Sequence, residues 1–196
     1  WILLLFSKPC MAQPSCDEIK PPIVFVHGFL ASGDTWATQI QRFSSNGYCD
    51  DRMFVFDWNT IGGKQKPDSL LDIFVSKVLQ RTGAAKIDLV AHSAGGGLCY
   101  GYLKDSARSV RVAHYIHIGS GKIRQPAGYN GNVPTLNVYS TDDLVVKGGA
   151  DVPGATNLKE IGKDHLQVAS PEESFAAIYR FLNDNREPAM VTIMTD

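Results

Sequence analysis

The sequence predicts an α/β protein, a mostly parallel, doubly wound sheet of about six strands flanked by helices. Three observations carry that reading. The strands are continuous apolar runs, as in PPIVFVHG and KIDLVAHS, which marks burial on both faces. Between strands, apolar residues recur at helical spacing, as at Leu70, Leu71, Phe74, Val75, Val78 and Leu79. Glycine is abundant, 18 in 196 residues, and several glycines stand where a strand hands over to a helix.

The elements follow in chain order. Residues 23–27 form the first strand, which leaves through His27-Gly28. Asp34 and Thr35 can cap a helix running to about Asn46, where Asn46-Gly47 ends it. MFVFDW is a second buried strand, followed by a loop over 59–67 that contains glycine and lysine. Residues 69–82 form a helix with Gly83 as its stop, KIDLVAHS a third strand, and residues 94–104 another helix. RVAHYIHIG and VPTLNVYS read as the fourth and fifth strands, and ATNLKEIG as a short sixth. In Ser170-Pro171-Glu172-Glu173, Ser170 caps the last helix, Pro171 takes its first position and Glu173 follows three residues after the cap. No internal repeat interrupts this order.

Composition sets the outer limits. With 44% hydrophobic and 20% charged residues, the chain is neither a disordered tail nor a collagen-like repeat nor a polytopic membrane protein. Its length suits one domain with a full core. Lys plus Arg is 19 against 20 for Asp plus Glu, a net charge of -1, so no basic excess exists to track a nucleic acid. The opening WILLLF is too short to span a bilayer, and Ala12 ends a small-x-small pattern suited to signal-peptidase cleavage. Residues 1–12 therefore read as a signal-peptide remnant, which places the protein outside the cytoplasm, secreted or periplasmic. A buried N-terminal strand is the rival reading. Residues 13–186 form the folded domain, and residues 187–196 a tail or the start of a further domain.

Of the four cysteines, Cys10 belongs to the leader and Cys99 falls on a helix as a small apolar residue. Cys16 and Cys49 each precede a strand, so they can pair if those strands are parallel neighbours. No cysteine or histidine spacing fits zinc, and no metal is expected.

The chemistry concentrates in Ala91-His92-Ser93-Ala94-Gly95-Gly96-Gly97, between a buried strand and a helix. A serine on such a turn projects beyond the carboxyl edge of the sheet, toward the positive end of the helix, which is the setting of a nucleophile elbow. An oxyanion needs two fixed backbone donors, and the amides of Ala94 and Phe29 are the candidates. The serine also needs an imidazole, and that imidazole a carboxylate. Of the five histidines, only His165 lies downstream in a late loop. His92 is expected to point away across the turn, His27 to order its own loop, and His114 and His117 to pack or face solvent within a strand. Asp142 and Asp143 compete as the acid. Asp143 is preferred because Leu144-Val145-Val146 would form an apolar turn holding it, while Asp142 reads as a solvated neighbour or cap and Asp164 as exposed. Phe29, Leu30, Trp36, Trp58, Leu144, Val145 and Leu166 could line an acyl cleft or serve as core.

These segments, VFVHGF, LVAHSAGGG, VYSTDDLVV and DHLQVASPEESF, resemble the α/β-hydrolase superfamily, and within it the small secreted bacterial and archaeal lipases with the AHSxGG elbow. The resemblance runs from about Pro21 to Asn183. It implies a monomeric or weakly associated serine esterase with no cofactor and Ser93, Asp143 and His165 as its triad. It also implies Phe29 and Ala94 as oxyanion amides and a small-molecule or lipid ester as substrate, with transient contact to lipid surfaces. The doubled acid leaves Asp142 open beside Asp143. The segment 120–133 is too short for a large cap domain. Other acyl compounds (a thioester, polyester or amide) and a non-catalytic binding role are the alternatives that the fold class leaves open.

Overall fold

The computed structural model describes residues 16–64 and 66–193. The signal-peptide and N-terminal-strand readings of residues 1–12 lie outside the described residues. Six strands form one sheet: β1 (Ile23–Val26), β2 (Met53–Phe56), β3 (Ile87–His92), β4 (Val112–Ile118), β5 (Thr135–Ser140) and β6 (Thr156–Glu160). Their order is β2-β1-β3-β4-β5-β6, and every neighbouring pair is parallel. Among the described residues, five α-helices flank them: α1 (Ala37–Ser45), α2 (Pro67–Thr82), α3 (Ala94–Tyr102), α4 (Ser106–Ser109) and α5 (Glu172–Leu182).

The two faces alternate as a strand's period demands. Ile23 and Phe25 pack into one core with Phe43 of α1 and Phe175 and Ile178 of α5. Val24 and Val26 pack into the other with Leu71 and Val75 of α2 and Cys99 and Tyr102 of α3. Both faces of β1 are fully buried, which explains its unbroken apolar run. The chain leaves β1 toward β2 and then crosses back to β3, so the order reverses between β1 and β3. In a parallel sheet, the loops part at such a reversal and leave a crevice at the carboxyl ends of the strands.

Several boundaries differ from the sequence reading. Asp34 and Thr35 do not cap α1; they lie in a 3-10 turn, Gly33–Trp36, that runs directly into it. Pro67 starts α2 two residues early, because its missing N–H is no loss in a first turn. Gly83 ends that helix at φ 66°, as a left-handed stop should. The last helix starts at Glu172 with Pro171, not Ser170, in the cap position. The single-turn α4 carries no periodic signal of its own; Asp105 caps it by accepting from the Ala107 and Arg108 amides.

β1 and β2 are register neighbours from Ile23 and Met53 onward, which brings the residues ahead of them together. Cys16 and Cys49 are joined in a disulfide with Cα atoms 4.9 Å apart. Closing a loop across a sequence separation of 33 contributes roughly 3–4 kcal/mol in the chain-entropy account. Cys99 is a buried thiol, and burial pushes its pKa far up. At the other end, Arg42 Nε donates to the Val191 carbonyl at 2.8 Å and the Met190 amide donates to Asn46 Oδ1 at 3.0 Å. Residues 190 and 191 thus lie along α1. Among the described residues, no helix is long and apolar enough to cross a membrane.

Candidate active site

Ser93 stands between β3 and α3 at the strand-order reversal. Its φ of 54° lies in the left-handed region, where a residue with a Cβ is strained by about 1–3 kcal/mol. The neighbours show why the turn is glycine-rich. A Cβ at Gly28 would come within 2.9 Å of Ser93 Cβ; one at Gly95 would meet the His27 carbonyl at 2.5 Å. Gly96 faces Ser120 at least as closely, whereas Gly97 faces open space. Close approach of α3 to the ends of β1 and β4 thus explains two of the three glycines.

Ser93 Oγ lies 2.8 Å from His165 Nε2, and His165 Nδ1 lies 2.7 Å from Asp143 Oδ2. With Nδ1–H donated to the carboxylate, Nε2 is left to accept the serine proton. The structure therefore brings together Ser93, His165 and Asp143, from the ends of β3, β6 and β5. Asp142 is turned outward and accepts from the Gly162 amide at 2.9 Å. Asp164 is exposed and caps its own loop, accepting from the Leu166 and Gln167 amides.

Asp143 is held for a different reason than the sequence suggested. Leu144 and Val145 are 78% and 71% exposed, so no apolar turn grips it. Its Oδ1 instead accepts from the amides of Val145 and Val146 at 2.9 and 2.8 Å. Burial raises the carboxyl pKa, but the His165 bond and these two amides outweigh it and hold it below the ordinary value.

The Phe29 and Ala94 amides border Ser93, one after Gly28 and one at the start of α3, and neither has a hydrogen-bond partner among the described residues. His27 orders its loop: Nδ1 lies 2.9 Å from the Gly28 carbonyl, and the Trp58 indole N–H donates to the His27 carbonyl at 3.1 Å. His117 is buried and holds the Gly121 carbonyl at 2.8 Å, its pKa lowered by burial to about 4. His114 pairs with the fully buried Asp88, which raises the histidine's pKa. Phe29, Leu30, Leu144, Val145 and Leu166 are exposed on the loops that carry the site, and Trp58 is partly buried. Trp36 is wholly buried against Phe25 and cannot line a cleft.

His92 does not point away. Its Nε2 donates to the His165 carbonyl at 2.8 Å, and the two rings lie 4.8 Å apart. Sequence reasoning also missed Gln39 and Arg42, which hold the Ala169 and Ser170 carbonyls of the same loop. Polar residues on the Phe43 face of α1 were the available signal. A separate cavity of about 580 Å³ lies between the loops after β4 and β5, lined by Lys122, Arg124, Asn137, Tyr139 and Asp151, with neither Ser93 nor His165 in its wall.

The profile of the alpha/beta hydrolase fold family matches residues 21–158. Among solved structures, the chain is similar to a Bacillus licheniformis lipase in its mature form at 18% identity and a TM-score of 0.65, over 86% of this chain and 95% of that one. It is likewise similar to a carboxylesterase from Bacillus subtilis (15% identity, TM-score 0.62, 87% and 86% covered). A monoacylglycerol lipase from Paleococcus ferrophilus matches at 14% identity and a TM-score of 0.64, over 85% and 96%. At these identities the neighbours speak for the fold, and with the profile match over more than half its length the chain belongs to the alpha/beta hydrolase fold family.

Proposed function

We propose that this protein is a serine carboxylic ester hydrolase, lipase- or esterase-like, that works through an acyl-enzyme on Ser93. The observation that carries the reading is the unbroken relay from Ser93 Oγ through His165 to Asp143, at 2.8 and 2.7 Å, on a strained turn. Ser93 attacks the ester carbonyl carbon while His165 Nε2 takes its proton, and Asp143 steadies the imidazolium. The Phe29 and Ala94 amides receive the oxyanion; a lost donor of this kind costs about 3 kcal/mol. His165 then hands its proton to the departing alkoxide. Water, activated by the same imidazole, attacks the acyl-enzyme and releases the carboxylic acid and free Ser93.

Exposed Phe29, Leu30, Leu144, Val145 and Leu166 favour an acyl chain as the bound part of the substrate. The Cys16–Cys49 disulfide favours an oxidising compartment, in keeping with a leader over residues 1–12 and export. Ser93→Ala should keep the fold and lose nearly all hydrolysis of p-nitrophenyl esters of graded chain length, and a fluorophosphonate should label Ser93 alone. Labelling at another serine would overturn the assignment. Faster turnover of a thioester or amide than of any ester would move the substrate class.

A further inference from the structure

We infer that His92 is a positioning residue for His165, docking the main chain of the base onto the dipeptide that carries the nucleophile. The inference rests on the serine-esterase reading. Bonds at the two ring nitrogens fix the ring but not the main chain that carries it, so a base needs its backbone fixed as well as its ring. Residue 165 is held at three separate atoms. Asp143 takes Nδ1–H, Ser93 meets Nε2, and His92 donates to the carbonyl oxygen at 2.8 Å. Two of the three anchors are adjacent residues, 92 and 93, so a shift of the loop after β6 cannot separate base from nucleophile without breaking the His92 bond.

The surroundings of His92 suit that task. The ring is 2% exposed and lies between the ends of β1 and β4, the two neighbours of its own strand. A Cβ at Gly28 would stand 3.4 Å from its Nδ1, and one at Gly119 would stand 3.4 Å from its Nε2 and Cδ2. The two glycines thus flank the ring at van der Waals distance. Burial lowers its pKa to about 4, so at neutral pH it is an uncharged ring with its one proton on the nitrogen facing His165. It adds no second positive charge beside an imidazole that must itself become charged.

The test uses His92→Phe, which keeps a flat ring and removes the donor, with His92→Gln and His92→Asn. A glutamine amide reaches the place of Nε2; an asparagine amide stops at the place of Nδ1. Turnover of p-nitrophenyl butyrate by His92→Phe should fall in kcat by on the order of 10- to 100-fold, with KM within about twofold of wild type. His92→Gln should recover most of kcat and His92→Asn little. Wild-type kcat in His92→Phe, a loss carried by KM instead, or equal kcat in the Gln and Asn variants would each overturn the inference. If His92→Phe does not fold, the Gln–Asn contrast decides alone. A wild-type protein that neither turns over an ester nor takes the fluorophosphonate at Ser93 refutes the esterase reading itself, and this inference with it.

Discussion

The loop after β5 and the loop after β6 deliver the two side chains that line up with Ser93, and they are built in opposite ways. The Asp143 loop supports itself: the carboxylate folds back onto the amides of Val145 and Val146, two and three residues ahead. Its apolar side chains, Leu144 and Val145, face outward and hold nothing. The His165 loop supports itself in part, through Asp164 and the turn that follows, and takes further anchors from afar. His92, Gln39 and Arg42 hold the carbonyls of His165, Ala169 and Ser170 across separations of 73, 130 and 128 residues. A carboxylate can be positioned by local turn chemistry because it accepts from any amide within reach. The His165 ring has both nitrogens engaged, one by Asp143 and one facing Ser93, so its loop is fixed through the main chain.

The largest expected effect strikes the locally built loop. Asp143→Asn should cut turnover by about 10⁴-fold, the scale seen when an orienting carboxylate is lost. Asp142→Asn, one residue away but turned to Gly162, should cost far less. Steady-state kinetics on both variants checks the contrast, and a larger loss at Asp142 would reverse the reading of this loop.

A smaller effect, on stability, should mark the remotely anchored loop. Gln39→Leu keeps bulk but leaves the buried Ala169 carbonyl without its donor, which destabilises by about 1–3 kcal/mol. Leu144→Ala and Val145→Ala remove exposed atoms and should stay within about 0.5 kcal/mol of wild type. Urea unfolding of the three variants sharpens the comparison, and equal losses would break it.

The smallest effect is one of pH. The Asp143 carboxyl is held below its ordinary pKa, so the folded state binds that proton less readily than the unfolded chain. Its contribution to stability is complete above the unfolded value of about 4 and is lost as pH falls through the folded value. The stability gap between wild type and Asp143→Asn should therefore narrow below about pH 4. A gap that widens on acidification would show that burial, not the His165 bond and the two amides, governs the group.

Much of this protein is determined by sequence alone. Unbroken apolar runs such as IVFV declare burial on both faces, and with it a parallel layered sheet, because period-two alternation disappears when both faces are covered. Ser93 is legible for a local reason, since a serine among small residues between strand and helix makes a turn that few other sequences can. Gly83 is legible in the same way, its positive φ being a property of one residue. Tertiary structure decided what depends on distant contacts. Asp143 was preferred for an apolar turn and is held instead by two amides. His92, read as pointing away, donates across the site because the chain returns after β6 to lie over β3. Gln39 and Arg42 on a helix face give no hint of which carbonyls they serve 130 and 128 residues later. Periodicity records which side of an element is covered; it does not record by what, and hydrogen bonds between remote segments exist only once the sheet has placed their ends together.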